Sequence, residues 1–343
     1  MRTKRTLLAF ATSCLAFFSQ AQDIHFSQIN ETPLLINPAN AGLGCDMRAI
    51  LNYRTQWSSV TTPYKTFAAS YEMKLLKKKP KGNLGLGVYA FNDKAGTSNL
   101  STSQFTLAFS GMISLDKSNT LSAGISGGYN QRSCTTAGLK WDSQYDGTGY
   151  NSSLGTNESF TDARFGYADF NAGIQWSYGQ GERYITAKDE IKMNAGVSFH
   201  HFNRPEQVFY ASGERLNSRI TAHGGCIFGI SNTNVFVAPS FIYHRQGTQT
   251  ETMAGSMLKF RVSEDSKYTG FKKGASFSLG GFYRVRDAFV AVAQFELGQY
   301  SIAMSYDINV SSLTQASKGR GGFEISLRFV NPNPYVFKSA SRM

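Results

Sequence analysis

Hydrophobic and polar residues alternate along most of the chain with a period of two. The segment from Gln104 to Leu115 shows this best, because every second residue is large and apolar or glycine and most residues between are small or polar. Its apolar face comprises Phe105, Leu107, Phe109, Gly111, Ile113 and Leu115. Alternation sustained over about a dozen residues predicts a β-strand with one apolar and one polar face. The pattern recurs over Tyr300–Asp307 and Phe323–Phe329.

The length of these segments distinguishes a membrane barrel from a soluble sandwich. They run for about 10–14 residues, whereas strands of soluble domains usually run for ~5–6 residues. Tilted strands of this length cross a bilayer, and closure of the sheet leaves no unpaired edge in lipid. Turn signals between Asp46 and Val330 separate about fourteen strands, an even number as in bacterial outer-membrane barrels. The predicted fold is therefore an all-β, antiparallel transmembrane barrel of the bacterial outer membrane.

The lengths of the connections predict the orientation of the barrel. The longest, Cys134–Arg164, follows the fifth predicted strand, and His201–Arg215 follows the seventh, whereas the tight turns Asp116–Asn119 and Ser231–Asn234 follow the fourth and eighth. Long external loops and short periplasmic turns are typical of these barrels. We therefore expect both termini in the periplasm. Three connections that should be short periplasmic turns, at 76–82, 179–190 and 263–273, are of medium length and are exceptions.

The N-terminus resembles a secretory signal peptide. Basic residues near Arg2 precede an apolar stretch over Leu7–Phe18, and Ser19-Gln20-Ala21 is a small-residue cleavage site. Cleavage after Ala21 leaves Gln22 first and lowers the net charge from +12 to +9, because three basic residues and no acidic ones are removed (12 − 3 = 9). A lipoprotein signal ending at Cys14 is the weaker alternative, since the mature terminus would then be hydrophobic.

These features divide the chain into a signal peptide (1–21), a periplasmic N-terminal segment (22–45), the barrel (46–330) and a C-terminal tail (331–343). The sequence leaves open whether the two end segments pack against the barrel or hang free. Cysteines 45, 134 and 226 remain after cleavage. An odd number in an oxidising compartment requires a free thiol or a cysteine of a partner. Their spacing fits no metal motif, so we expect no metal site.

One catalytic pattern occurs in the chain. Gly124–Gly128 matches G-x-S-x-G, but a nucleophile elbow needs a strand, a sharp turn and a helix, whereas Ser126 lies within a predicted strand. His200 and His201 are adjacent strand residues, which we expect to point to opposite faces and not to share a site. The sequence also lacks P-loop and dinucleotide-binding motifs. We therefore expect neither an enzyme nor a cofactor.

Two long loops carry the candidate interaction residues. Exposed aromatic and arginine side chains beside small polar residues are typical of protein interfaces. An aromatic girdle at the membrane surface is an equally good interpretation of the aromatic residues. The basic run at 77–81 is interpreted as a solvated turn, and export from the cytoplasm argues against nucleic acid as a partner. The candidate partner-binding residues are Trp141, Tyr145, Tyr150, Arg204, Phe209 and Tyr210.

A series of short motifs, in order along nearly all of the mature chain, resembles the PorP/SprF family of the Bacteroidota type IX secretion system. The motifs include Gln22–Gln28, Pro33–Ala39, Asn52–Trp57, Asn92–Gly96, Gly128–Ser133, His201–Pro205, Tyr243–Gly247, Ser305–Asp307 and Glu324–Leu327. The chain departs from other barrels in its tail beyond Phe329, because barrels commonly end on an aromatic residue.

The resemblance implies an outer-membrane protein that works with the type IX translocon and contacts outer-membrane lipids. It further implies binding of the C-terminal domain of a large secreted adhesin, in support of its export or surface attachment and of gliding motility. Other family members resemble core translocon components linked to the periplasmic ring, and a passive channel also stays open. The family offers no catalytic residues to transfer to this chain.

Overall fold

A computed structural model describes residues 23–60, 62–75, 82–135, 139–157, 164–180, 190–207, 215–263, 274–311 and 314–331. The predicted signal peptide, the tail beyond residue 331, and Phe209 and Tyr210 lie outside this part of the chain. Within it, no helix is long and apolar enough to cross a membrane.

Antiparallel strands form one closed barrel in which each strand pairs with its neighbours in sequence and β1 pairs with β14. The predicted fold class is confirmed. The strands are β1 (Met47–Gln56), β2 (Tyr64–Lys74), β3 (Gly82–Ala95), β4 (Leu100–Ser114), β5 (Asn119–Ser133), β6 (Arg164–Gln180), β7 (Ile191–His200), β8 (Arg219–Gly229), β9 (Val235–Gln246), β10 (Gln249–Ser263), β11 (Ala275–Arg284), β12 (Ala288–Leu297), β13 (Tyr300–Asn309) and β14 (Arg320–Asn331).

The two faces of the wall follow the alternation of the sequence. On β4, Phe105 and Phe109 point outward and are each 52% exposed, as expected of side chains that face lipid. On β14, Glu324 and Arg328 point into the lumen, where both are buried. The lumen is therefore polar along this strand, as the sequence predicted.

The connections give the barrel two different ends. The end with the long connections, here called the long-loop end, carries residues 139–157 between β5 and β6 and residues 201–207 and 215–218 between β7 and β8. The opposite end, here called the short-turn end, carries the turn between β12 and β13 and the paired residues Met47 and Asn331 of β1 and β14. Short helices are the 3₁₀ turns Ile29–Glu31, Pro38–Asn40 and Asp142–Gln144, α1 (Pro33–Ile36) and α2 (Thr314–Ser317).

Residues 23–45, here called the plug, lie inside the barrel. Asp23 contacts His201 at the long-loop end, whereas the amide of Gly42 donates to Glu72 (2.9 Å) near the short-turn end. The plug therefore runs through the lumen before the chain turns into β1. Of the two arrangements that the sequence left open for this segment, packing against the barrel is the one observed, and it places the start of the described chain at the long-loop end.

Apolar side chains of the plug cover apolar patches of the inner wall. One cluster joins Ile29 and Ile36 to Ile242, Met253, Met257, Phe282, Val290 and Val292. A second joins Phe26, Leu34 and Ala41 to Ala68, Tyr89, Phe91 and Ala108. Burial of such surface stabilises by roughly 25 cal/mol per Å². The plug thus supplies part of the hydrophobic core of the barrel.

Candidate functional site

The upper lumen, towards the long-loop end, holds the plug by charge and by hydrogen bonds. The carboxylate of Glu324 accepts the backbone amides of Ser27 (2.7 Å) and Gln28 (3.0 Å). Arg54, which is 2% exposed, forms ion pairs with Glu324 and with Asp307. A buried charge that loses its partner costs about 3–5 kcal/mol, so this network fixes the plug in one position.

A second ionic group lies deeper in the lumen. The guanidinium of Arg328 bridges Glu31 of the plug and Glu296 of β12, with both contacts at 2.6 Å. Glu296 also pairs with Lys259, and Gln294 donates to Glu31 (3.2 Å). The plug is therefore tied to the wall over much of its length.

Glycines on the inner face of three strands make room for the plug. A Cβ at Gly85 would lie 2.0 Å from the carbonyl oxygen of Ala41, and one at Gly124 would lie 2.5 Å from the amide nitrogen of Ala39. A Cβ at Gly173 would lie 2.2 Å from Oδ1 of Asn37. These contacts involve backbone or a buried side chain, which cannot move aside. Any larger residue at the three positions would therefore clash with the plug.

His201 anchors the outer end of the plug. Its Nε2 lies 2.6 Å from Asp23 and its Nδ1 lies 2.7 Å from Asp169, while Arg219 lies 3.2 Å from Asp23. Burial lowers the pKa of His201, but the carboxylates of Asp23 and Asp169 outweigh it and raise the pKa to about 9. The ring is therefore an imidazolium at neutral pH, held between two carboxylates.

The prediction that His200 and His201 point to opposite faces is wrong. Both are buried, and both line one cavity of about 60 Å³. His201 follows the last residue of β7 and has a left-handed φ of 56°, which breaks the alternation of the strand. The two rings consequently lie on the same side of the wall, with centroids 6.2 Å apart.

The long connection between β5 and β6 presents two of the predicted interaction residues. Tyr145 and Tyr150 form an isolated bridge and are 59% and 48% exposed. The ammonium of Lys140 lies 4.9 Å from the centroid of the Tyr150 ring. Trp141 is partly buried at the start of the same loop. The structure therefore brings three of the six predicted residues together on one loop.

Hydrogen bonds within this loop hold it in shape. The amide of Asn151 donates to the carbonyl of Gln144 (2.8 Å), and Oδ1 of Asp146 accepts the amides of Thr148 and Gly149. Arg204 lies on the connection between β7 and β8, is exposed and has a φ of 42°. It therefore sits at the same end of the barrel as the tyrosines, whereas Phe209 and Tyr210 lie outside the described residues.

A family model described as type IX secretion system membrane protein PorP/SprF matches residues 18–329 of the chain. The chain belongs to the PorP/SprF family. It is thus a membrane protein of the type IX secretion system, and its structure is that of an outer-membrane barrel. A search of curated proteins found no match.

Several solved barrels are similar in fold to this PorP/SprF protein. BamA from Haemophilus ducreyi lacking POTRA domains 1–3 shows 8% identity and a TM-score of 0.43, with 83% of this chain and 70% of that chain covered. The CymD monoaromatic hydrocarbon channel shows 10% identity and a TM-score of 0.45, with 88% and 92% covered. The P. putida toluene transporter TodX shows 10% identity and a TM-score of 0.43, with 86% and 91% covered. Similarities this low do not bear on function.

Ser126 of this PorP/SprF barrel lines the same small cavity as His200, His201 and Asp169. Its hydroxyl accepts a hydrogen bond from Asn171 (3.1 Å). Nε2 of His200 lies near Ser198 (2.9 Å), and both ring nitrogens of His201 face carboxylates. The hydrogen bonds described for both rings thus go to groups other than Ser126, and β5 continues past it to Ser133 instead of turning into a helix.

In the part of the chain that the structure describes, Cys45, Cys134 and Cys226 are free thiols. Cys45, the last residue of the plug, is buried, and burial raises its pKa to about 11, so it stays protonated. Cys134 is partly exposed and directly follows β5 at the long-loop end. Among the described residues, no group of three or more His, Cys, Asp or Glu is arranged to hold a metal ion.

Sequence reasoning missed the plug, which holds much of the polar lumen together. One signal for it was present: the polar face of β5 contains Gly124 and that of β6 contains Gly173. A glycine in the interior of a strand often marks a close approach of another backbone. At Gly124 the approaching backbone is that of Pro38 and Ala39, and at Gly173 the approaching group is the side chain of Asn37.

Proposed function

We propose that this type IX secretion protein holds the C-terminal domain of a large secreted adhesin at its long-loop end and so supports the adhesin's export or surface attachment. The observation that carries the proposal is the plugged lumen. A barrel whose lumen is filled by its own chain has little room for cargo or solute, and its outer wall contacts lipid. Recognition of a protein therefore falls to the ends of the barrel.

The long-loop end is the better suited of the two. Its loop at 139–157 is held by internal hydrogen bonds and exposes Tyr145 and Tyr150 side by side. A loop ordered before binding loses little conformational entropy in the complex, and tyrosine is enriched among residues that dominate binding energy. The short-turn end offers a compact turn such as Gly298–Gln299 between β12 and β13.

Capture of the tagged barrel from native outer membranes tests this function. We expect the C-terminal region of a secreted surface protein to co-purify and to be identified by mass spectrometry. Recovery of periplasmic ring components without any secreted protein would instead favour a core translocon role. Recovery of neither, from membranes in which the system is active, would contradict a role in secretion by direct binding.

The proposal requires that the long-loop end face the cell exterior, with β1 beginning at the periplasmic side. Native Cys134 tests this, because it is partly exposed at the long-loop end, whereas Cys45 is buried and Cys226 lies opposite the outward-facing Met193 on the lipid side of the wall. We expect a membrane-impermeant maleimide to label intact cells carrying the wild-type protein and to leave the Cys134→Ser variant unlabelled. Labelling of Cys134 only after the outer membrane is permeabilised would reverse the orientation.

We further infer that the barrel is not an enzyme, because the hydrogen bonds described for His200 and His201 are made to other groups and Ser126 lacks an elbow. Ser126→Ala is expected to leave secretion, and any esterase signal of the purified protein, unchanged. The hydroxyl contributes one hydrogen bond with Asn171, so only a small loss of stability, about 1 kcal/mol, should accompany the change. Complete loss of a measured hydrolase activity would contradict this inference.

A further inference from the structure

We propose that a polar recess at the long-loop end binds an arginine side chain of a partner protein. The recess has a cavity volume of about 270 Å³ and lies where β1, β11 and β13 end and β10 and β14 begin. It is smaller than the roughly 300–1,000 Å³ of most small-molecule sites, so one long side chain fits it better than a whole ligand. The inference rests on the proposed function only for the identity of the partner.

The charge of the recess favours a cation. Its lining includes the carboxylates of Glu251, Asp287 and Asp307 and the guanidiniums of Arg54 and Arg284. Arg54 also pairs with Glu324, so part of its charge is already neutralised outside the recess. The lining therefore keeps a net negative charge.

His25 does not offset that negative charge. It lines the recess from the plug, with Nδ1 at 3.3 Å from Glu251. Burial, together with Arg284 and Arg54 nearby, lowers the pKa of His25 well below its usual value. The ring is therefore neutral at physiological pH and acts as a hydrogen-bonding group.

Asp307 supplies an unused acceptor. Its side chain is 4% exposed, and its Oδ2 accepts from Ser27 (2.8 Å), Arg54 (3.2 Å) and Arg284 (3.3 Å). Its Oδ1 has no hydrogen-bond partner among the residues that the structure describes. A buried carboxylate oxygen without a donor costs free energy, and a ligand donor that reaches it would recover part of that cost.

The remaining lining suits a guanidinium better than an ammonium. Trp57 lines the recess with a left-handed φ of 55°, which is uncommon for a bulky residue. Its backbone amide donates a hydrogen bond to the carbonyl of Gly321 (3.2 Å), which holds this conformation. An aromatic ring beside carboxylates can stack on a planar guanidinium while the carboxylates accept its hydrogen bonds. Asp287, which pairs with Arg284 (2.9 Å), is 46% exposed and is the most accessible of the three carboxylates.

The test uses the whole mature protein in detergent and a defined probe, the tripeptide acetyl-Gly-Arg-Gly-amide. Its matched control replaces arginine by citrulline, which has nearly the same shape and no charge. Binding is followed by tryptophan fluorescence, since Trp57 lies in the recess, and by calorimetry. We expect the citrulline peptide to bind at least about tenfold more weakly. Hydrogen bonds that involve a charged group are about twice as strong as those between neutral groups.

Two variants complete the design. Glu251→Gln with Asp287→Asn removes two charges at nearly constant shape and should weaken binding of the arginine peptide by at least about tenfold. Glu206→Gln, on an exposed ion pair with Arg215 elsewhere at this end, should leave binding unchanged. Heat-modifiable mobility in gels confirms that each barrel is folded. Equal binding of the two peptides, or unchanged binding in the double variant, would contradict the proposal that the recess binds arginine. Neither result would affect the outcome of the capture experiment above.

Discussion

Replacing Gly124 by leucine is expected to displace the plug and to open a conducting path through a barrel that is otherwise closed. Any side chain at Gly124 meets the backbone of Ala39, because even its Cβ would lie 2.5 Å from the Ala39 amide nitrogen. Backbone cannot rotate away as a flexible side chain can, so we expect a loss of about 3 kcal/mol or more of stability. In planar bilayers the wild-type protein should show no steady ion conductance, whereas the variant should.

Gly111→Leu is the matched control for this substitution. Gly111 lies on the neighbouring strand β4 but on the outward face, where a Cβ would have nothing within 4 Å. The substitution introduces the same side chain into the same kind of strand, but facing lipid instead of the plug. We expect the barrel of this variant to remain closed and to be as stable as wild type. If both variants stay equally stable and closed, the plug does not fill the lumen as the structure shows.

The same bilayer assay probes the anchor of the plug at His201. The pKa of His201 is raised from 6.5 to about 9 in the folded protein, because Asp23 and Asp169 outweigh the effect of burial. A raised pKa means that the stabilisation is fully present below about pH 6.5 and is lost as the pH rises through about 9. Channel openings of the Gly124→Leu variant should therefore be more frequent at pH 10 than at pH 7, and His201→Gln should remove that difference.

Sequence reasoning succeeded for the wall of the barrel because the membrane imposes a simple rule on it. Outward residues of a transmembrane strand must be apolar because they face lipid. Phe105 and Phe109 therefore alternate with the small or polar residues that face the lumen. Strand length and the even strand number follow from bilayer thickness and closure. The order of long and short connections followed from the same strand count.

Sequence reasoning failed where the structure depends on contacts distant in sequence. The plug has no periodic pattern, and its partners Glu324 and Arg328 lie some 300 residues away along the chain. The interpretation of His200 and His201 failed for a local reason, since one left-handed residue at the end of β7 reverses the direction of a side chain. The alternation of apolar and polar residues predicts neither feature, and only the glycines on the polar faces of β5 and β6 point to the plug.

The loop residues Tyr145 and Tyr150 are expected to dominate binding of the secreted partner. Both are exposed on one loop that internal hydrogen bonds hold in shape, and the partner can bury them without having to order the loop. Truncating a residue that dominates an interface commonly costs about 2 kcal/mol or more. Tyr145→Ala with Tyr150→Ala should thus weaken binding about a thousandfold, at ~1.4 kcal/mol per decade. Quantitative pull-down of the native partner by the two proteins measures the change.

The control must separate a binding surface from an aromatic girdle, because both explain exposed tyrosines near the end of a barrel. Tyr283 on β11 serves this purpose, since it is 47% exposed, close to the 48% of Tyr150, but points outward from the wall near the long-loop end. Tyr283→Ala should leave recovery of the partner unchanged. Equal recovery with all three proteins would place the tyrosines in a girdle. The search for the docking surface should then move to Arg204 and to the recess around Asp287, which lie at the same end but on other connections.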